Sequence, residues 1–229
     1  MNPVAVATIQ AVLAAIVALV LLKTLAARTG ARDLGRGFLW VCALLALANL
    51  LGVAVVSLAG DGAANMMRPV LRTLRMADWP LTGVALLLAC AAWMRKPSAG
   101  GTSTIADFAS RPETAAGLSV YVALGFFAFE IGKLAHDAQM REFFLNSGYP
   151  ATFMYAVMAA EIVGAIGLMF ERTRRFAALW LAVIMIGAIG THVRNGDPFS
   201  DSLDALRMLL ISVSILALSH RSKTPLPSG

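Results

Sequence analysis

The sequence is poor in charged residues and in cysteine, and both shortages restrict what the chain can be. Only 14% of its 229 residues are Asp, Glu, Lys or Arg, against about a quarter in soluble proteins. Hydrophobic residues make up 59% of the chain, and the mean hydropathy is +0.74. The composition therefore predicts an all-α integral membrane protein, for which lipid is the main solvent.

Several motif classes are also missing. The two cysteines, Cys42 and Cys90, form no C-x-x-C pair, and the predicted topology puts them in the reducing half of the membrane, so we expect no structural disulfide. There is no zinc-finger spacing and no soluble basic domain, which argues against nucleic-acid binding. Flavin, haem and iron–sulfur motifs are absent from the sequence as well.

Seven apolar stretches approach the roughly 20 residues that cross a bilayer core. The third stretch is the shortest. If it does not cross the membrane, the chain has six spans instead of seven. The stretches run from Pro3 to Ala27, Gly37 to Leu58, Trp79 to Trp93, Ala115 to Ala138, Pro150 to Phe170, Phe176 to His192 and Leu203 to Leu218.

Lysine and arginine predict the orientation of these spans. Most of them cluster in alternate connections and in the C-terminal tail, the positions that the positive-inside rule assigns to the cytoplasm. We therefore expect a protein of the cytoplasmic (plasma) membrane with its N-terminus outside and its C-terminus inside. The high isoelectric point is then explained by the basic residues that orient the spans, and not by binding to a polyanion such as nucleic acid. The predicted inner residues are Lys23, Arg28, Arg32, Arg36, Arg95, Lys96, Arg111, Arg172, Arg174, Arg175, Arg221 and Lys223.

A segment rich in Gly, Ser, Thr and Pro divides the chain into two membrane parts. Residues 95–114 have no apolar period and are interpreted as a cytoplasmic linker. Residues 1–94 form a predicted three-helix part with few polar side chains, which is typical of a scaffold. Residues 115–220 form a predicted four-helix bundle, followed by a tail at 221–229. The bundle carries most of the acidic and histidine side chains, largely in its outer half.

Two acidic residues of the bundle are predicted to lie deep in the membrane. Counted at about 1.5 Å per residue, Glu161 falls near the middle of the fifth span and Glu130 about two-thirds along the fourth. A charge at this depth is costly unless it is paired or hydrated. We therefore interpret both as candidate catalytic acids. Two alternatives stay open, an ion-pair ladder that only fixes packing and a neutral hydrogen bond between helices.

A wider set of polar residues is predicted to line an outward-facing pocket with these acids. Glu130, Lys133 and Asp137 have the spacing of one helical face, and Glu161, which has no polar neighbour on its own helix, needs a partner such as Lys133. Arg72 belongs to a basic stripe with Arg68 and Arg75, which either pairs with outer acids or attracts an anionic ligand. A metal site is not expected, because no standard ligand spacing occurs. The candidate ligand-binding residues are Lys133, Asp137, His192, Arg194, Asp197, Asp204, Arg207 and Arg72.

The second part of the chain, from Ala115 to Leu218, contains a characteristic succession of residues. They are Gly132 and Lys133, Gly148-Tyr149-Pro150, Glu161 with Gly164 and Gly167, then Met185, Gly187, His192, Gly196 and Asp197. With this set of residues, the second part resembles the DoxX-like membrane proteins.

The resemblance implies a four-helix bundle and a link to membrane redox and sulfur metabolism. The family is similar to the small subunit of a thiosulfate:quinone oxidoreductase, and it includes partners of sulfurtransferase and superoxide dismutase. This chain departs from the minimal family by adding three N-terminal spans. Its only cysteines lie in that addition, which argues against a sulfur relay by the DoxX-like part itself.

Three functions remain open from the sequence. The first is a quinone-associated redox subunit, in which Glu130 and Glu161 exchange protons with a quinone and a partner subunit supplies electrons. The second is a non-catalytic assembly or anchoring subunit that docks a membrane or extracytoplasmic protein. The third is an acid–base isomerase or cyclase for a terpenoid-like lipid, with cation-stabilising rings on the fourth span. These rings are Tyr121, Phe126, Phe127 and Phe129.

Overall fold

The computed structural model describes residues 31–58, 62, 65–69, 71, 77–94 and 104–221. These residues form α-helices and one 3₁₀ turn, and they contain no strand. The first predicted span, Pro3 to Ala27, lies outside the described residues. The helices are α1 (Ala31–Leu58), α2 (Asp78–Met94), α3 (Thr104–Ala109), α4 (Pro112–Ala135), α5 (Asp137–Asn146), α6 (Phe153–Met169), α7 (Arg174–Asn195) and α8 (Leu203–Arg221), with the 3₁₀ turn at Phe199–Ser202 before α8.

The lengths and composition of these helices confirm an all-α integral membrane protein. In the described part of the chain, four helical segments are long and apolar enough to cross a bilayer. The apolar helices α2 and α6 are shorter, and α2 corresponds to the third predicted span, the shortest of the seven. The four long segments are Leu34–Leu58, Pro112–Ala135, Arg174–Asn195 and Phe199–Ser219.

Helices α4, α6, α7 and α8 form a closed four-helix arrangement, as the resemblance implied. Each contacts the next, and α8 returns to contact α4. Small residues bring α6 and α7 together: a Cβ at Gly164 would lie 2.6 Å from the Leu181 side chain, and one at Gly167 would lie 2.9 Å from Ala177. Small residues commonly permit such close approach between helices in membranes.

The N-terminal helices pack directly on this bundle. The contact between α1 and α4 is the most extensive in the described structure, and α2 packs on α8. Gly117 permits the α1–α4 approach, because a Cβ there would lie 3.1 Å from the backbone of Leu39. The two predicted membrane parts therefore share one interface.

The predicted linker contains a helix. Its residues 104–109 form α3, in which Ala106, Phe108 and Ala109 are buried, and the Phe108 ring packs edge-on against Phe38 of α1 at 5.6 Å between centroids. Burial of these apolar side chains on α1 and α2 offsets the weak local helix signal. Residues 95–103 lie outside the described part.

The C-terminal ends of α7 and α4 determine where several polar residues lie. Helix α7 ends at Asn195, where Gly196 adopts a left-handed φ of +73° and the Asp197 N–H donates to the His192 carbonyl at 3.0 Å. A glycine in this conformation is a common way for a helix to end. The fourth span, however, ends at Ala135 rather than at residue 138, because His136 leaves helical geometry and α5 begins at Asp137.

Candidate functional site

A buried acid–base–acid cluster joins α4 to α6. The Lys133 ammonium donates to Glu130 Oε1 at 2.9 Å, one turn earlier on α4, and to Glu161 Oε2 on α6. We call these three residues the triad. The partner that Glu161 lacks on its own helix is therefore Lys133, one of the predicted alternatives.

Burial and charge make the triad unusual. The two glutamates are 3% and 4% exposed, and the Lys133 side chain is 21% exposed. One ammonium faces two carboxyl groups, so the triad carries a net charge of −1 when both are ionised and becomes neutral on taking up one proton. Within the described structure, Glu130 Oε2 is buried and has no hydrogen-bond partner. The cluster therefore has the charge and the acceptor atom needed to hold one exchangeable proton.

The prediction that Asp137 extends the face of Glu130 and Lys133 is wrong. Because α4 ends before it, Asp137 lies in the first turn of α5 and accepts a hydrogen bond from the Tyr155 hydroxyl at 2.5 Å. Its second carboxylate oxygen lies 3.8 Å from the guanidinium of Arg141 on α5. The i, i+7 spacing requires an unbroken helix, and the break at His136 removes that condition.

A second buried cluster joins the N-terminal helices to the bundle. The Tyr121 hydroxyl on α4 donates to Asp78 on α2 and accepts from the Arg207 guanidinium on α8 at 3.2 Å. Arg207 also lies 3.6 Å from the carboxylates of Asp78 and Asp204. We call Asp78, Tyr121, Asp204 and Arg207 the junction cluster. It pairs acid and base across helices from both predicted parts.

A cavity lies beside the junction cluster. Its volume is about 130 Å³, and residues of α1, α2, α4 and α8 line it. Besides the four residues of the junction cluster, the lining includes Asn49 of α1 and Gly132 of α4. Arg207 is 4% exposed, and its Nε is buried without a hydrogen-bond partner among the described residues. We call this space the junction cavity.

The predicted outer end of the bundle carries a third cluster, in which α7 and its cap contact the turn before α6. His192 Nδ1 lies 2.7 Å from Asp197 Oδ2. Arg194 donates to the Ser147 carbonyl, and its guanidinium stacks over the Tyr149 ring at 4.8 Å. The Thr191 hydroxyl, 3.4 Å away, and then the Arg194 charge lower the pKa of the Tyr149 phenol.

The predicted ligand-binding residues therefore do not converge on one pocket. Lys133 belongs to the triad, Asp204 and Arg207 to the junction cluster, and His192, Arg194 and Asp197 to the outer end. Arg72 lies outside the described residues, as does Arg75, and Arg68 is exposed. In the described part of the chain, no three His, Cys, Asp or Glu side chains are grouped as metal ligands.

Two residues of the junction cluster were missed at the sequence level. Asp78, which directly precedes the apolar stretch of the third span, was not considered, yet it is buried. Tyr121 was considered only as an aromatic ring, whereas its hydroxyl forms the hydrogen bond to Asp78. The one available signal was a pair of charged residues, Asp78 and Arg207, each near the start of an apolar helix.

Comparison with known proteins agrees with this architecture. The model of the DoxX-like family matches residues 117–217, from within α4 to near the end of α8. Searches of curated proteins and of solved structures find no match. The matched segment covers the four-helix bundle and excludes α1 and α2. The C-terminal part of this membrane protein, residues 117–217, therefore matches the DoxX-like family.

Proposed function

We propose that this chain is a quinone-associated subunit of a membrane redox complex, and that the triad exchanges a proton with the bound quinone. The observation that carries the proposal is the triad itself. It places two carboxyl groups on one ammonium group within the family bundle, with one buried carboxylate oxygen still free to accept a hydrogen bond.

Two polar groups of the triad have the hydrogen-bonding character that a quinone or quinol requires. Glu130 Oε2 can accept a hydrogen bond from a hydroxyl, and the partly exposed Lys133 ammonium can donate to a carbonyl oxygen. A bound quinone would supply the two-electron couple, with electrons coming from a partner subunit. Glu130 takes up or releases the proton, Lys133 stabilises the carboxylate that results, and Glu161 holds the Lys133 ammonium in position.

The experiment is to purify the full chain in mild detergent and to identify co-extracted lipid-soluble molecules by mass spectrometry. Wild type is compared with Glu130→Gln and Glu161→Gln, and with Glu142→Gln as a control, because Glu142 is exposed on α5. We expect a quinone with wild type and the control, and its loss from the two triad variants at unchanged helicity. Quinone-independent behaviour in every assay, alone and with partners, would overturn the proposal.

A second candidate is a non-catalytic assembly or anchoring subunit. The observation in its favour is that Lys133 and Arg207 already have carboxylate partners in the folded chain. If their role is packing alone, both glutamine variants retain their partner proteins on affinity purification and no small molecule is found in any sample. The same preparation therefore separates the two functions.

A further inference from the structure

We propose that the junction cavity is a binding site for an uncharged, ring-sized group that carries a hydrogen-bond acceptor oxygen, such as a carbonyl. The proposed anchor is the guanidinium of Arg207, a residue that lines the cavity and whose Nε is buried without a hydrogen-bond partner among the described residues. A buried donor without an acceptor is unfavourable. A carbonyl oxygen on a ligand would supply the missing acceptor.

The volume of the cavity sets the size of this group. At about 130 Å³ it is close to the roughly 150 Å³ of an engineered cavity that accommodates benzene. A single six-membered ring therefore fills it. A longer chain attached to the ring has to extend out of the cavity, which reaches the surface where Asp204, with a side chain 66% exposed, lines it.

The charges that line the cavity exclude an anionic ligand. Arg207 is already matched by Asp78 at 3.6 Å, and Asp204 adds a second carboxylate at the same distance. With both acids ionised the lining is net negative. An anion would meet this charge, whereas a neutral carbonyl needs only the free N–H of the guanidinium.

The junction cavity is separate from the triad. Tyr121 and Glu130 are nine residues apart on α4, which is two and a half turns, so they lie on opposite faces of that helix. The triad faces α6, and the cavity lies between α4, α8 and the N-terminal helices. The inference therefore stands or falls independently of the proposed proton exchange.

Three probes of matched size test the inference on the full-length protein in detergent. Benzamide is neutral and carries a carbonyl, benzoate is its anionic counterpart, and toluene lacks the oxygen. Saturation-transfer NMR measures the saturable binding of each. We expect benzamide to bind at least tenfold more tightly than benzoate or toluene. Equal binding of benzoate would overturn the charge argument, and the absence of saturable benzamide binding would mean that the cavity holds only water.

A matched pair of glycine variants locates the binding. A Cβ at Gly132, which lines the cavity, meets no atom within 4 Å, and the same is true at Gly190 on α7. Gly132→Leu fills the cavity without a backbone clash, so we expect it to abolish benzamide binding, whereas Gly190→Leu retains it. Binding that survives in Gly132→Leu would place the ligand elsewhere and refute the inference.

A third variant tests the anchor atom. Arg207→Lys keeps a positive charge beside Asp78 but removes the Nε donor. We expect at least a tenfold loss of benzamide affinity, with an elution profile and helicity equal to those of wild type. Unchanged affinity in this folded variant would show that the guanidinium is not the anchor.

Discussion

Lys133 is the residue on which the charge balance of the bundle interior depends. Its ammonium forms ion pairs with both Glu130 and Glu161. Removal of either carboxylate leaves a neutral pair, whereas removal of the ammonium leaves two buried carboxyl groups and no counterion. The three residues are therefore not equivalent under substitution.

Replacement of Lys133 by Met should destabilise the protein more than Glu161→Gln does. Breaking a buried ion pair costs about 3 kcal/mol or more, which corresponds to a melting temperature lower by roughly 6–12 °C for a domain of this size. We expect Glu161→Gln to lower it by only a few degrees. Thermal unfolding in detergent, followed by circular dichroism, measures both.

The exposed residue Arg141 provides the control for this comparison. Its side chain is 50% exposed and lies 3.8 Å from Asp137, and ion pairs of this kind contribute little to stability. Arg141→Met should therefore leave the melting temperature nearly unchanged. If Arg141→Met lowered the melting temperature as much as Lys133→Met, the assay would be reporting loss of positive charge in general rather than disruption of the triad.

At the scale of helices, glycine decides how closely α6 and α7 approach. A Cβ at Gly164 would lie 2.6 and 2.7 Å from two carbons of Leu181, so any side chain there displaces α7 or forces Leu181 to move. Trp180 on α7 adds a hydrogen bond across the same interface, from its indole N–H to the Ala160 carbonyl at 3.0 Å. Close packing and this bond together fix the position of α6, and therefore of Glu161.

Gly164→Leu should separate α6 from α7, whereas Gly190→Leu should not. Overpacking a tight contact costs about 1–3 kcal/mol, while a Cβ at Gly190 meets nothing within 4 Å. We expect a lower melting temperature and, because Glu161 moves, loss of any ligand of the triad in Gly164→Leu alone. Comparable stability of the two variants would contradict the packing argument.

At the scale of the whole molecule, the four-helix bundle is held to the N-terminal helices α1 and α2 by direct contacts. Asp78 on α2 and Arg207 on α8 lie 3.6 Å apart, and Tyr121 on α4 contacts both. Four helices thus meet at the junction cavity when α1 is included. The N-terminal helices therefore contribute polar groups, in addition to the scaffold that their composition suggested.

A double-mutant cycle should detect this coupling. Arg207→Leu removes the guanidinium beside the buried Asp78 carboxylate, for which we expect a loss of about 3 kcal/mol. The double variant Asp78→Leu with Arg207→Leu should lose less than the sum of the single variants, by at least about 0.5 kcal/mol. Asp204→Asn, at a largely exposed carboxylate, serves as the control with little change. Additive losses at Asp78 and Arg207 would show that the two are energetically independent.

The orientation of the chain in the membrane remains a prediction from its basic residues. Glu142 on α5 and Glu171 in the turn between α6 and α7 are both exposed. In a background in which Cys42 and Cys90 are replaced by Ala, a membrane-impermeant maleimide added to intact cells should label Glu142→Cys and leave Glu171→Cys unlabelled. The opposite labelling pattern would reverse the assigned sides.

The sequence by itself determined the membrane class and located six apolar helices, four of which are long enough to cross a bilayer. It also singled out Glu130, Glu161 and Lys133, whose role as a site stays a prediction. These follow from apolar run length and from the cost of a charge in lipid, which are local properties of a segment and its depth. The family match of residues 117–217 confirms the DoxX-like resemblance. The glycine cap of α7 was likewise predictable, because its residues are adjacent in the chain.

Only the tertiary structure decided which polar groups meet. Spacing placed Asp137 on the face of Lys133, but one residue outside helical geometry, His136, sends it to Tyr155 instead. Asp78 and Arg207 are far apart in sequence and come together because α2 packs on α8. Helical periodicity specifies which face of a helix is polar, but partner choice across helices depends on packing, and packing is set by the whole set of contacts at once.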